Sequence, residues 1–154
     1  MDLLEELTHL LRRLEDERVE YALCGGLAMA IYAFPRATLD IDIMIEPESL
    51  ATVKALAKDL GFSVDVGLLE FKEGAIRIYR LTKLPAGSPD ALVLDLVLVT
   101  AQIKEVWDDR RRLEWEGGTL SVVSPRGLIT LKSMRNSGQD RDDIEHLRSI
   151  LDED

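Results

Sequence analysis

At 154 residues with 46% apolar content, the chain is long enough for one domain with a proper core and too short for two. Its net charge of −10 argues against a protein that grips a long stretch of DNA or RNA through many phosphate contacts, and the acidic opening "MDLLEELTHLL" lacks the basic-then-apolar order of a secretion signal. No apolar run approaches the roughly 18 residues of a membrane span, and a single cysteine cannot form an internal disulfide, so a cytoplasmic protein is expected.

Leu3, Leu4, Leu7, Leu10, Leu11 and Leu14 recur at helical spacing between charged residues, which predicts an amphipathic helix ending near Glu17 and packing on a core. "VEYALCGG" reads as a short buried strand closing at Gly25 and Gly26, with Cys24 as a small buried hydrophobe. "LAMAIYAF" predicts a short apolar helix that Pro35 ends. "TLDIDIMIE" is a strand stopped by Pro47, and "ESLATVKALAKDLG" a second helix with Gly61 as its C-terminal cap. The period then changes to two. "FSVDVG", "LLEFKEG" and "AIRIYRLTK", separated by glycines, predict antiparallel strands, and "KLPAGSPD" is turn chemistry.

"ALVLDLVLVT" is a central strand with one acid, Asp95. "DDRRRLEW" reads as a solvated face, with Trp107 and Trp115 as core or interface aromatics. "WEGGTLSVVS" supplies a hairpin turn and a strand, after which Ser124 and Pro125 open the helix "PRGLITLKSMR" as N-cap and first residue. Asp140 is placed to cap a last amphipathic helix, "DRDDIEHLRSIL". This order of elements predicts a single α+β domain over residues 1–154, with helices packed against a mixed, largely antiparallel sheet.

Asp40, Asp42 and Asp95 each interrupt an apolar strand, where an unpaired charge costs several kcal/mol or is forced to neutralise. Residues i and i+2 of a strand share a face, so Asp40 and Asp42 point the same way and call for something positive between them. If the strand of Asp95 lies alongside, all three carboxylates converge, and oxygen ligands of this kind suit a hard divalent cation such as Mg²⁺. The opposing reading is a half-exposed strand with solvated acids, Ile41, Ile43 and Ile45 filling its buried face.

Gly25 and Gly26 sit at a strand-to-helix junction, where they make either a tight turn or a backbone cradle for an anion. Arg36 is open between a phosphate contact and a structural ion pair, while Thr38 reads as structural. Lys132 shares a helix face with Leu128 and Leu131, from which it either snorkels or reaches a ligand, and Arg135 lies on about the same face.

Taken together, "CGGLAMAIYAFPRATLDIDIMI" and "LVLDLVLV" resemble the minimal nucleotidyltransferases of the polymerase-beta-like superfamily. Their signature is a strand, a Gly-Gly or Gly-Ser turn, a short helix, an Asp-x-Asp strand and a third acid on a later strand. "SPRGLITLKSMRNSGQDRDDIEHL" is similar to the ending of the branch that includes abortive-infection nucleotidyltransferases, and the resemblance runs from about Tyr21 to Leu147.

The resemblance implies Mg²⁺-dependent transfer of a nucleoside monophosphate from a nucleoside triphosphate to an RNA end, a protein or a small molecule. Asp40, Asp42 and Asp95 would hold two Mg²⁺ ions, and Gly25, Gly26, Arg36, Lys132 and Arg135 would meet the nucleotide. A small partner protein or a homodimer is a further implication. Gly26 stands where many active members carry serine, so the alternative is an inactive nucleotide-binding or regulatory protein, including one half of a toxin–antitoxin pair.

Overall fold

The computed structural model describes residues 3–32, 40–84, 90–115, 118–135 and 138–152, with backbone alone for 135, 138–140 and 152. Along the chain run α1 (Leu3–Asp16), β1 (Ala22–Cys24), α2 (Gly25–Ile31), β2 (Asp40–Ile45), α3 (Leu50–Asp59), β3 (Val64–Phe71) and β4 (Ile76–Lys83). They are followed by β5 (Leu92–Leu98), α4 (Lys104–Asp108), β6 (Arg111–Trp115), β7 (Gly118–Val122), α5 (Pro125–Arg135) and α6 (Gly138–Asp152). The strands form one sheet in the order β3-β4-β5-β2-β1-β7-β6. Two of its neighbouring pairs, β2 with β5 and β1 with β7, are parallel, and the other four are antiparallel. The expected mixed, largely antiparallel α+β architecture is what the chain forms.

Strand alternation divides the sheet into two faces. Ile41, Ile43 and Ile45 of β2 lie opposite Leu94, Leu96 and Leu98 of β5, and all six are buried. Each such side chain contributes about 1.5–3 kcal/mol by leaving water. Leu81 of β4 extends this face, and its neighbours identify the cover. Lys83 donates to Glu6 of α1 at 2.8 Å and to the carbonyl of Leu60, just beyond α3, at 2.9 Å. Helices α1 and α3 therefore lie over the apolar face, α1 burying the stripe Leu7, Leu10, Leu11 and Leu14. Helix α5 covers the opposite face, where Leu128 and Leu131 approach Ile78 and Val97.

Helix ends follow the predicted chemistry at two points. Gly61, at φ +100°, stands just past α3; its N–H reaches the carbonyl of Lys58, and the N–H of Phe62 reaches that of Ala57. These are the two bonds of a Schellman cap, and Phe62 closes it by burying completely. At α5 the Ser124 hydroxyl accepts from the Gly127 N–H at 3.0 Å, as an N-cap should.

Elsewhere the structure departs from expectation. "FSVDVG" and "LLEFKEG" belong to one strand, β3, because a bulge between Asp65 and Gly67 absorbs the glycine without ending the pairing. Helix α6 begins at Gly138, so Asp140 falls in its first turn instead of capping it. The basic run after Asp108 is the expected solvated face, with Arg111, Arg112 and Glu114 exposed and Trp107 buried beneath the guanidinium of Arg110; what the sequence did not announce is that it forms an edge strand, β6.

Candidate active site

The acids meet because β2 and β5 are parallel neighbours in a register that sets Asp42 directly beside Asp95. Residues opposed in this way share a face and are separated by about one strand spacing, 4.7–4.9 Å. Asp40, opposite Val93, is one pleat further along on that face, so all three acids point away from α1 and α3. The alternation of acid with isoleucine in β2 is a division between two environments. On the acidic face Asp40 is exposed and Asp42 half-buried, with α5 covering part of that face beside Asp42.

The glycine turn lies against the same point. Cys24 of β1 pairs in register with Asp42, and the chain passes directly from Cys24 into α2 at Gly25. Gly25 has φ +68°, a left-handed conformation, and a Cβ there would stand 2.7 Å from Cγ of Asp42 and overlap its carboxylate. Glycine is thus required twice, by backbone conformation and by the acid packed over it. Cys24, at the N-cap position of α2, makes no side-chain capping bond, and Gly26 follows in the first turn.

Among the described residues, a positive group that reaches the acids is Arg80, which the sequence reading overlooked. β4 flanks β5 with Arg80 opposite Asp95, and the guanidinium grips that carboxylate with both arms: Nε donates to Oδ1 at 2.8 Å and Nη2 to Oδ2 at 3.0 Å. The Asp95 side chain is 7% exposed and that of Arg80 is 38% exposed, so the buried acid is held by a cation that reaches in from the rim. Partial desolvation, then the charge of Asp95, pushes the Asp40 carboxyl above its ordinary value, against the pull of Arg80. The Arg80 guanidinium is held more firmly protonated, first by its bond to Asp95 and further by the charges of Asp40 and Asp42. A signal for Arg80 existed in "AIRIYRLTK": it is the one cation on the face that also carries Ile76 and Ile78.

Lys132 of α5 lines a cleft of about 80 Å³ together with Asp42, Gly25 and the apolar side chains Ile78, Val97, Leu128 and Leu131. The predicted lysine is therefore in the same cleft as Asp42 and Gly25. Its ammonium is 3.0 Å from a carboxylate oxygen of Asp143 on α6, and both side chains are almost wholly buried. Asp143 was not singled out from the sequence, where "DRDD" reads as a helix opening. Arg36 and Thr38 lie outside the described residues, and Arg135 closes α5 with only its backbone described.

The donor set suits a hard cation. Asp40 and Asp42 present oxygens on one face, and Mg²⁺ commonly takes one or two carboxylates with the rest of its shell from water and substrate phosphate. Among the described residues no three potential ligands surround one point, and Asp95 has both its oxygens on Arg80. A site using Asp95 requires that carboxylate to leave its arginine.

No family profile and no curated protein matches the sequence. Solved structures do match. The lincosamide antibiotic adenylyltransferase LnuA, in its lincomycin-bound form, superposes with a TM-score of 0.65 at 18% identity, over 95% of this chain and 96% of its own. The antibiotic-resistance factor ANT(2'')-Ia gives 0.59 at 14% identity, covering 99% and 94%. An antigenic nucleotidyltransferase-like protein from Paracoccidioides brasiliensis gives 0.57 at 19% identity, covering 96% and 76%. At such identities the likeness speaks for architecture, and it agrees with the strand order and helix placement above. This chain has the minimal nucleotidyltransferase fold.

Proposed function

We propose that the protein is a cytoplasmic, Mg²⁺-dependent nucleotidyltransferase, moving a nucleoside monophosphate from a nucleoside triphosphate to an acceptor. The observation that carries this reading is the in-register pairing of Asp42 with Asp95 on parallel strands, with Asp40 on the same face and Gly25 packed against Asp42. In this reading Asp40 and Asp42 would hold Mg²⁺ ions, and Asp95 would complete the second metal site and help activate the attacking hydroxyl. Bound Mg²⁺ would polarise the phosphoryl oxygens and ease deprotonation of the attacking hydroxyl.

The remaining work falls to the chain itself. The backbone N–H groups of Gly25 and Gly26 donate to phosphate oxygens. Arg36, Lys132 and Arg135 supply positive charge to the triphosphate, with Lys132 kept in place by Asp143. The acceptor hydroxyl gives its proton to solvent as its oxygen bonds to the α-phosphorus, the bond to the bridging oxygen breaks, and pyrophosphate leaves with that electron pair. Rate enhancement comes mainly from alignment and from charges fixed before the reaction starts. The acceptor is an RNA end, a protein or a small molecule, and the net charge of −10 weighs against unaided capture of a long RNA. Action within a homodimer or with a small partner protein is part of the same reading.

A second reading has one specific observation in its favour. Because Arg80 occupies both oxygens of Asp95, the fold could retain nucleotide binding without transfer. One experiment separates the two. The protein is incubated with Mg²⁺, labelled nucleoside triphosphates and cell extract, and the RNA, protein and small-molecule fractions are counted. Label in any fraction, lost in Asp42→Asn, supports the enzyme. Mg²⁺-dependent nucleotide binding without label supports the binding protein, and normal turnover by Asp42→Asn would overturn the site assignment.

A further inference from the structure

The Arg80–Asp95 pair is unusual in its placement. A bidentate guanidinium–carboxylate pair is among the stronger polar contacts a protein makes, and arginine cannot lose its charge to release its partner. Here the pair lies in the acid cluster, with Asp42 directly beside Asp95 and the charges of Asp40 and Asp42 both acting on Arg80. The carboxylate is buried on its strand, whereas the guanidinium reaches it from a more exposed position. The arginine is therefore the partner with open space to move into.

From this geometry we infer that Arg80 is a resident countercharge that competes with a divalent cation for Asp95. In the metal-free protein the guanidinium neutralises the buried acid and lets three carboxylates share one face. Cation binding through Asp95 displaces Arg80, whose partly exposed side chain can swing outward to solvent or to an anionic ligand. Arg80 is thus a positioning residue that lowers metal affinity in exchange for a stable empty site. The inference rests on the nucleotidyltransferase reading, in which Asp95 is a metal ligand.

Mn²⁺ alone, titrated against the intact protein and followed by the loss of free-ion electron paramagnetic resonance signal, tests it without any turnover. Arg80→Gln is expected to tighten Mn²⁺ binding by about tenfold, the scale set by losing a charge-assisted bond from the competing state. The gain should vanish in the Asp95→Asn background, because the competition is for that carboxylate. Arg80→Lys, which keeps the charge and loses the two-armed grip, should give an intermediate gain and covers the case in which Arg80→Gln folds poorly.

Wild-type protein that binds Mn²⁺ as tightly as both Arg80 variants would overturn the inference and leave the catalytic reading standing. So would a gain that persists undiminished with Asp95→Asn, since that is a general field effect. Absence of Mn²⁺ binding in wild type and in every variant, even with a non-hydrolysable triphosphate added, would defeat the catalytic reading itself.

Discussion

On one face of the β2–β5 pair, Ile41, Ile43, Ile45, Leu94, Leu96 and Leu98 are buried under α1 and α3; on the other, the same two strands carry Asp40, Asp42 and Asp95. The first face needs only close neighbours to be stable. The second holds like charges at short range, with Arg80 paired to Asp95 among them. The contrast teaches that stability and chemistry are segregated by strand parity, so a substitution's parity should decide which of the two it damages.

Moving a charge to the wrong parity should have the largest effect. Ile43 is wholly buried, with buried Leu96 directly opposite it. Ile43→Asp is expected to cost several kcal/mol for an uncompensated buried carboxylate, comparable to the roughly 5–15 kcal/mol that holds a typical domain together. The variant should be insoluble or lack a cooperative thermal transition by circular dichroism. Asp42→Asn, one residue away on the opposite face, removes a charge from a repelling cluster and should melt close to wild type. If Ile43→Asp instead unfolds cooperatively near the wild-type temperature, the division of labour between the faces is wrong.

The comparison sharpens at Lys132, where both demands meet. Its ammonium pairs with Asp143 inside the α5–α6 contact, with 6% and 5% of the two side chains exposed. Removing one partner of a buried pair leaves an unmatched charge, and about 3–5 kcal/mol is the usual loss. Lys132→Met should therefore lower the urea midpoint substantially without any nucleotide present, and Lys132→Met/Asp143→Leu should recover most of that loss. A Lys132→Met protein as stable as wild type, yet unable to bind nucleotide, would assign this lysine to the ligand alone.

Much of this was legible in the chain because it is written locally. The parity of Asp40 and Asp42, the glycine pair that opens α2, the Ser124 cap and the leucine stripe of α1 all depend on residues within a few positions of one another. Arg80 escaped because its role depends on the register of β4 against β5, a pairing between residues 15 apart that alternation alone does not specify. Asp143 escaped for a similar reason: one acid among several in "DRDDIEHL" becomes distinctive only when α6 docks on α5. Gly67 misled in the opposite direction, since a glycine that ends a strand and one that forms a bulge within it look alike until a partner strand is present.

The smallest effect concerns an acid that solves its charge problem in another way. Asp65, on the bulged edge strand, accepts from the Tyr79 hydroxyl at 2.6 and 2.8 Å and lies 3.6 Å from the Lys54 ammonium. The tyrosine bond, and then the lysine charge, holds its carboxyl below the ordinary value, whereas desolvation and a like charge push Asp40 above it. The signs therefore oppose. Asp65 binds its proton less tightly when folded, so its stabilisation is present above the unfolded pKa and is lost as pH falls through the folded one. Asp40 binds its proton more tightly when folded, so its ionisation weakens the fold as pH rises from the unfolded pKa through the folded one. Tyr79→Phe keeps the ring beneath Lys54 and deletes only the hydroxyl, and it should raise the Asp65 titration midpoint toward the ordinary carboxyl value while leaving that of Asp40 where it was. Carboxyl-resolved NMR titration reads both groups in one sample. An unmoved Asp65 would mean that lysine, not tyrosine, sets its charge.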